Sequence, residues 1–407
     1  MSTTTLAPAT IQELEAQHLL PVYKRTPVVF TRGEGMYLVS AEGRRYLDFI
    51  SGVGVAALGH AHAGLADAIA EQARTLLHTS NLFYHPLQAE VATRLASLTG
   101  LERAFFCNSG TEANEACLKF ARRYWHAKGE TKRTKFIAFS HAFHGRTLGS
   151  LSVTWDDHYR APFAPLIPDV VFVDTNDPAA LTAAVDDTTA AIVIEPIQGE
   201  GGVRPISAEL VAAIEDACAR TGALLIADEV QSGSGRTGPF LHSQKLGLTP
   251  DLVALGKALG AGVPVGVAMF SQEVASKAAP GDHGSTYGGN LLACRAALVF
   301  LDAWQSPDFQ ASMAAATAHM GKRLCELMGR HPQLIREVRG AGLMIGIDLA
   351  FDATPVVGEA FSRGLLINRT STTVVRLLPP YIVTPDDVDA AMPLLEAAIV
   401  AAGGGAQ

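Results

Sequence analysis

The five cysteines, at positions 107, 117, 218, 294 and 325, are odd in number and widely spaced, and no two form a CxxC pair. That pattern argues against a disulfide framework and fits reduced, mostly buried thiols in a cytoplasmic protein. The opening residues MSTTTLAPATIQELEAQ have neither the basic stretch nor the apolar core of a secretory signal, so none is expected. No apolar run approaches the roughly 18 residues that span a bilayer. An excess of positive charge is also missing: 32 Lys and Arg stand against 40 Asp and Glu, for a net charge of −8. Phosphate backbones need a basic surface, so a nucleic-acid binder is not expected. An anionic substrate would have to be met by a few local arginines. Repeats and charge blocks are absent, and the GGGAQ tail is expected to fray.

What is present suits a well-packed enzyme of two domains. The chain has 407 residues, 48% of them hydrophobic and 18% charged. Residues 1–22 read as a helix and lead-in with Ile11, Leu14, Leu19 and Leu20 on one face. Residues 27–50 alternate as short strands broken by Gly33, Gly35 and Gly43. Between about 62 and 300, short apolar runs alternate with helical stretches such as 112–127 and 208–220. The runs are FIAF (136–139), VVFV (170–173), AIVIEPI (191–197), ALLIADEV (223–230), DLVAL (251–255) and PVGVAMF (264–270). Uniformly apolar strands alternating with helices predict an α/β fold with a mostly parallel sheet covered on both faces. From about 301 a long helix to Gly329, strands at 342–349 and 374–378 and a last helix from Thr384 predict a smaller α/β domain. The expected division is therefore 62–300 as the large domain, with 1–61 and 301–407 together forming the small one.

Four segments end in residues suited to chemistry. In an open parallel sheet, ligands sit beyond the carboxyl ends of the strands. In CNSGTEANE (107–115), Ser109, Gly110 and Thr111 precede a strong helix, whose free N–H groups make an anion site; the same residues also make an ordinary helix cap. In ALLIADEVQSG, Asp228 ends a buried strand, where it would face a protonated heterocyclic nitrogen or form an internal ion pair. In FSHAFHGRT (139–147), Phe143 offers a ring for stacking and Arg146 a fork for a carboxylate, with His144 between them. In DLVALGKALGAG, Lys257 follows a buried strand with no acid after Asp251. A lysine in a low-dielectric site loses its charge readily and becomes a nucleophilic amine that joins aldehydes as a Schiff base. Phosphate cradle, ring-nitrogen carboxylate, stacking aromatic and Schiff-base lysine together describe pyridoxal phosphate. The 29 positions from Asp228 to Lys257 leave room for a crossover and a strand. GVGVAALG (52–59) lacks the spacing and the following acid of a dinucleotide loop and reads as a glycine-rich turn near the site mouth. No metal is called for.

With these residues in place, the chain resembles the class III aminotransferases, fold type I pyridoxal phosphate enzymes, over essentially its whole length. The matching segments include YLDFISGVGV, HTSNLFY, NSGTEANE, FHGRT, IEPIQGEGG, IADEVQSGSGRTG, LGKALGAGVP, HGSTYGGN and RGAGLMIGIDL. The resemblance implies that Lys257 carries the cofactor aldehyde. Asp228 would pair with the ring nitrogen, flanked by Glu229 and Val230. Gln231 would lie near the ring's phenolic oxygen, and Phe143 would stack on the ring. Ser109, Gly110 and Thr111 would hold the phosphate. It implies a homodimer with active sites at the subunit interface, in which Thr286 reaches the neighbouring phosphate and Ser285 lies near substrate. Arg146 and Arg376 would bind substrate carboxylates. Glu200 would close on Arg376 when the amino donor leaves that arginine free, and swing aside for glutamate. Two substrates of opposite end-group charge would then share one pocket.

Within the family the resemblance is strongest to the branch acting on N2-acetylornithine with 2-oxoglutarate, in cytoplasmic arginine biosynthesis. Ornithine δ-aminotransferases carry a tyrosine where this chain has Val53, which leaves room for an acyl group, while Tyr23 is kept. N-succinylornithine, N-succinyl-diaminopimelate, free ornithine and 4-aminobutyrate are the alternative donors. A regulator on the same fold would need a DNA-binding extension, and a binding-only relative would be expected to lack the lysine.

Overall fold

The computed structural model describes residues 7–404. Its centre is a seven-stranded sheet: β1 (Arg103–Cys107), β2 (Lys135–Phe139), β3 (Val170–Val173), β4 (Thr189–Ile194), β5 (Leu224–Asp228), β6 (Leu252–Leu255) and β7 (Gly266–Phe270). The strands lie in the order β1-β7-β6-β5-β4-β2-β3. The pairs β2/β3, β2/β4, β4/β5 and β5/β6 are parallel, while β7 runs antiparallel to both β6 and β1. The expected α/β architecture is present, with helices on both faces. Along β2, Phe136 and Ala138 pack on one side, Ile137 and Phe139 on the other. Residues buried on both faces have no reason to alternate with polar ones, which is why these strands read as unbroken apolar runs.

Two strands depart from expectation, each for a physical reason. PVGVAMF is the antiparallel member. Only residues 256–265 separate it from β6, and a parallel return needs a dozen or more. β1 is absent from the expected runs because it lies at the sheet edge, where it keeps an exposed Arg103 and half-exposed neighbours. The helix α1 (Gly110–Ala127) follows it and buries Ala113, Ala116, Cys117, Ala121 and Tyr124, spaced for one face.

Segments from both chain ends meet beside the sheet. Strands Phe30–Glu34, Tyr37–Ser40 and Arg45–Asp48 form an antiparallel meander, and Leu365–Leu366 joins it in parallel with Arg45–Asp48. Ile335–Ala341, Met344–Leu349, Val374–Leu377 and Asn368–Arg369 form a second four-stranded sheet. The single long helix expected near 301–329 is two helices, Leu291–Gln305 and Pro307–Arg330. Ser306 is extended because a residue before proline avoids the helical region. The amino-terminal helix Pro8–His18 buries no residue, and Leu19 and Leu20 lie beyond it, exposed. Its expected apolar face is therefore at most half-buried, Ile11 being half-buried and Leu14 exposed. Gly403 and Gly404 continue the last helix, Pro385–Gly404, and the rest of the tail lies outside the described residues. Among the described residues no helix is long and apolar enough to cross a membrane.

The parallel strands β1, β2, β4, β5 and β6 place their carboxyl ends on one edge. There β7 crosses the turn before α1 closely enough that a Cβ on Gly266 would sit 2.1 Å from the Ser109 carbonyl oxygen. Gly266→Ala is expected to push that turn off the sheet and to cost about 1–3 kcal/mol. Thermal unfolding checks it: the midpoint should fall, and an unchanged midpoint would show that the contact relaxes freely.

Candidate active site

Lys257 is placed where β6 ends. Gly256 is extended, and Lys257 itself has φ +44°, in the left-handed region that a lysine rarely enters. Such a backbone costs of order 1–3 kcal/mol and persists only where the surroundings impose it. The preceding Gly256 is in contact with the start of α1: a Cβ there would lie 3.4 Å from both the N and Cα of Gly110. The strand that delivers the lysine thus abuts the start of α1. The residue keeps part of its surface open to the cleft. Its amine is desolvated, and burial pushes its pKa down; Glu200 pulls it back up, and Arg376 adds to the fall. A lysine poised this way can switch between nucleophile and base.

Asp228 closes β5 and is 5% exposed. Its Oδ2 accepts from Asn114 Nδ2 at 2.8 Å and from His144 Nδ1 at 2.7 Å, and its Oδ1 accepts from the Val230 N–H at 3.0 Å. A carboxylate offers roughly four lone-pair sites, so three donors leave one for a protonated ring nitrogen. Burial works against charge on His144, but the bond to Asp228 outweighs it and raises the histidine pKa. Asn114 also donates to the His144 carbonyl at 2.8 Å, locking helix, loop and strand end together. Neither Asn114 nor the role of His144 emerged from the sequence. Asn114 sits one helical turn inside NSGTEANE, and that position on the buried side of α1 was the available signal.

The anion cradle is at the start of α1. Ser109 is its cap: Ser109 Oγ accepts from the Glu112 N–H at 3.3 Å and donates to Glu112 Oε2 at 2.9 Å. Its side chain is thereby committed to the helix, the ordinary reading, while the first-turn N–H groups of Gly110 and Thr111 have no intrahelical acceptor. A Cβ on Gly110 would sit 2.4 Å from Val230 Cγ1, so glycine is required where backbone and Val230 converge. Thr111 Oγ1 shares a hydrogen bond with Thr147 Oγ1 at 2.9 Å and accepts from the Arg146 N–H at 3.3 Å. The loop carrying Phe143 and Arg146 is therefore tied to the cradle. Phe143 is half-buried, and the Arg146 guanidinium is exposed, 3.6 Å from the Tyr159 ring centroid.

Arg376 lies on Val374–Leu377 and is 1% exposed. Its Nη1 donates to Glu200 Oε1 at 2.6 Å and to Gln231 Oε1 at 2.9 Å, and its Nε donates to Asn368 Oδ1 at 3.4 Å. This is not a surface ion pair. Burial raises the Glu200 pKa, but Arg376 and then Lys257 outweigh it, so the carboxyl is held below its usual range. Gln231 spends its amide on this pair.

Other expected residues fall elsewhere. Glu229 faces away: its carboxylate accepts from Ser232 Oγ at 2.6 Å and from the Ser243 N–H at 2.6 Å, anchoring the next turn and helix. A buried acid at a strand end takes the nearest donors, and these lie on the far side from Asp228. Tyr23 is exposed, its ring 6.0 Å from the Arg25 guanidinium carbon, and it lines a hollow formed with residues of the 11–30 segment. Ser285 Oγ accepts from Asn108 Nδ2 at 3.3 Å, next to the cradle. Thr286 points outward with exposed Leu82, Phe83, Tyr84 and Tyr287 nearby in its loop and the facing 81–88 segment. The turn 51–54 is left-handed at all four residues, Val53 included at φ +65°. It is held by Asp48 Oδ1, which accepts from the Ile50 and Ser51 N–H groups, and by Ser51 Oγ donating to the Leu378 carbonyl at 2.6 Å.

Pyridoxal phosphate fits this donor set: a lone pair left free on Asp228, a helix start at Gly110 where a Cβ would meet Val230, and a lysine whose charge is weakened by burial. His144→Phe is expected to strip Asp228 of one charge-assisted hydrogen bond, worth about 1.5–3 kcal/mol. Equilibrium dialysis of the apoprotein should then show cofactor affinity down by about 10-fold or more. Unaltered affinity would make His144 a packing residue only.

Residues 21–399 match the family described as Aminotransferase class-III. An acetylornithine aminotransferase of Archaeoglobus fulgidus is 43% identical over 94% of this chain and 98% of its own length. One from Gloeobacter violaceus is 44% identical over 95% and 97%. Among solved structures, the ornithine aminotransferase of Toxoplasma gondii superposes with a TM-score of 0.93 at 30% identity, covering 99% of this chain and 97% of its own. An amine transaminase from an uncultivated Pseudomonas species, described as PLP-bound, gives 0.86 at 31% identity over 98% and 99%. With its lysine, buried aspartate and helix-start cradle on one sheet edge, this chain belongs to the class III aminotransferases.

Proposed function

We propose that this chain transfers the terminal amino group of N2-acetylornithine to 2-oxoglutarate, giving N-acetylglutamate 5-semialdehyde and glutamate, with pyridoxal phosphate as cofactor. The observation that carries the reading is the pair between buried Arg376 and half-buried Glu200, within electrostatic reach of Lys257. The names of the relatives at 43% and 44% identity support the same donor, and arginine biosynthesis in the cytoplasm is the matching setting.

Bound pyridoxal phosphate supplies an aldehyde for the amine and a ring that takes up electrons. The protein supplies the rest. Lys257, its charge weakened by burial, would be the group that takes up and returns the proton of the reacting carbon. Asp228, held by His144 and Asn114, would face the ring nitrogen. Phe143 and Val230 would be the side chains that contact the ring. The start of α1 holds the phosphate, and Arg146 grips a substrate carboxylate.

Arg376 and Glu200 handle the change of substrate. The acetylated donor's reacting end brings no second carboxylate, so Glu200 stays on Arg376 and spares a buried unpaired cation, which costs several kcal/mol. 2-Oxoglutarate brings its own carboxylate, displaces Glu200 and occupies the same fork. Val53, short and held in the left-handed turn beside Leu378, leaves space for the acetyl group. In this reading the active unit is a homodimer. Leu82, Phe83, Tyr84 and Tyr287 become its covered apolar surface, and Thr286 reaches the partner's cradle. The region 62–300 forms one domain and the two chain ends the other.

Lys257→Ala should abolish multiple turnover, by at least about 10⁴-fold. Retained turnover in a coupled glutamate assay would remove the lysine from the chemistry. Donor choice is tested with holoenzyme alone. N-Acetylornithine, ornithine and 4-aminobutyrate are mixed separately without keto acid, and the visible cofactor band is followed. Fast bleaching is expected with N-acetylornithine, reversed by 2-oxoglutarate. Equally fast bleaching by ornithine or 4-aminobutyrate would mean that Val53 does not select for an acyl group.

A further inference from the structure

A buried carboxylate not yet given a role lies between the two loops that do most of the recognition. Glu195 follows β4 directly, is 5% exposed and pairs with no lysine or arginine among the described residues. Its Oε2 accepts from the Phe143 N–H at 2.9 Å and its Oε1 from the Gly199 N–H at 3.0 Å. One oxygen therefore holds the ring-stacking residue, and the other holds the residue before Glu200. A second strap joins the same loops, with Gln198 Nε2 donating to the Ser140 carbonyl at 2.7 Å. Gly199 is also gripped from its other side, where Thr370 Oγ1 donates to its carbonyl at 2.7 Å. It is wedged against Gln231 as well: a Cβ there would lie 2.4 Å from Gln231 Oε1.

We propose that Glu195 is a positioning residue that couples the cofactor-stacking loop to the Glu200 gate through its two carboxylate oxygens. The proposal rests on the reading of Phe143 and Glu200 given above. An ionised carboxylate accepts at both oxygens; a protonated acid or an amide turns one of them into a donor that confronts an N–H, so one strap is lost. The charged groups that reach Glu195 are His144, Asp228 and Lys257. Burial raises its pKa, His144 lowers it and Asp228 raises it again, for a net rise toward neutrality. Ionisation is therefore complete on the alkaline side, and the strap weakens as pH falls through the raised pKa.

The test uses purified wild-type enzyme, Glu195→Gln and Glu200→Gln. KM and kcat for 2-oxoglutarate are measured at about pH 6 and about pH 8, and pyridoxal phosphate affinity of each apoprotein by equilibrium dialysis. Glu195→Gln should raise KM for 2-oxoglutarate and weaken cofactor binding, each by about tenfold, with a smaller fall in kcat. It should also flatten the rise in KM that the wild type shows on going to the lower pH. Wild-type KM and cofactor affinity in Glu195→Gln, alongside an altered KM in Glu200→Gln, would overturn the proposal and keep the gate. An unaltered KM in Glu200→Gln would overturn the gate instead, and cofactor affinity would still decide the stacking half for Glu195. Should Glu195→Gln fail to fold, Glu195→Asp keeps the charge but withdraws it by one methylene, and the same losses are expected; a wild-type profile would refute the coupling.

Discussion

Charge taken out of water and held there by a small number of donors is the constraint on which this site depends. Asp228, Glu195, Glu200, Lys257 and Arg376 crowd the carboxyl edge of one sheet, where a lone ion would be prohibitively costly. Each is kept by named partners: Asp228 by Asn114, His144 and the Val230 N–H, Glu195 by two backbone N–H groups, Arg376 by Glu200, Gln231 and Asn368. Lys257 has no such set. Burial lowers its pKa, which suits a group that must act as nucleophile and base by turns.

The sheet makes this arrangement cheap to assemble. Parallel strands buried on both faces bring their ends to one edge without further instruction, and the loops that follow need only supply side chains. Close backbone approach does the fine placement. Gly256 against Gly110 and Gly266 against the Ser109 carbonyl seat the lysine and the anion cradle in contact, at the expense of a strained φ at Lys257. The loops are then tied across the edge, Thr111 to Arg146 and Thr147, Glu195 to Phe143 and Gly199, so that the cofactor cradle and the gate share supports.

Much of this was legible in the residues. Strands β2 to β6 announce themselves as uniform apolar runs, and Asp228 and Lys257 stand out because each is a polar residue where such a run stops. What escaped notice had weaker local signatures. β1 is an edge strand with a mixed pattern. The reversed direction of β7 follows from a connection too short for a crossover. Ser306 splits a helix whose periodicity runs on through the break. Glu229 sits beside Asp228 in the chain, yet serves the next helix, because adjacent residues leaving a strand point to opposite sides.

The sequence by itself determined the class of sheet, the edge on which chemistry collects and the kind of cofactor those residues suit, since each follows from local burial and from residue type at a strand end. Only the tertiary structure decided who pairs with whom. His144 with Asp228, Arg376 with Glu200, and Glu195 with Phe143 and Gly199 all join residues from separate loops or strands. Their meeting is set by strand order and loop course, which a linear pattern does not encode.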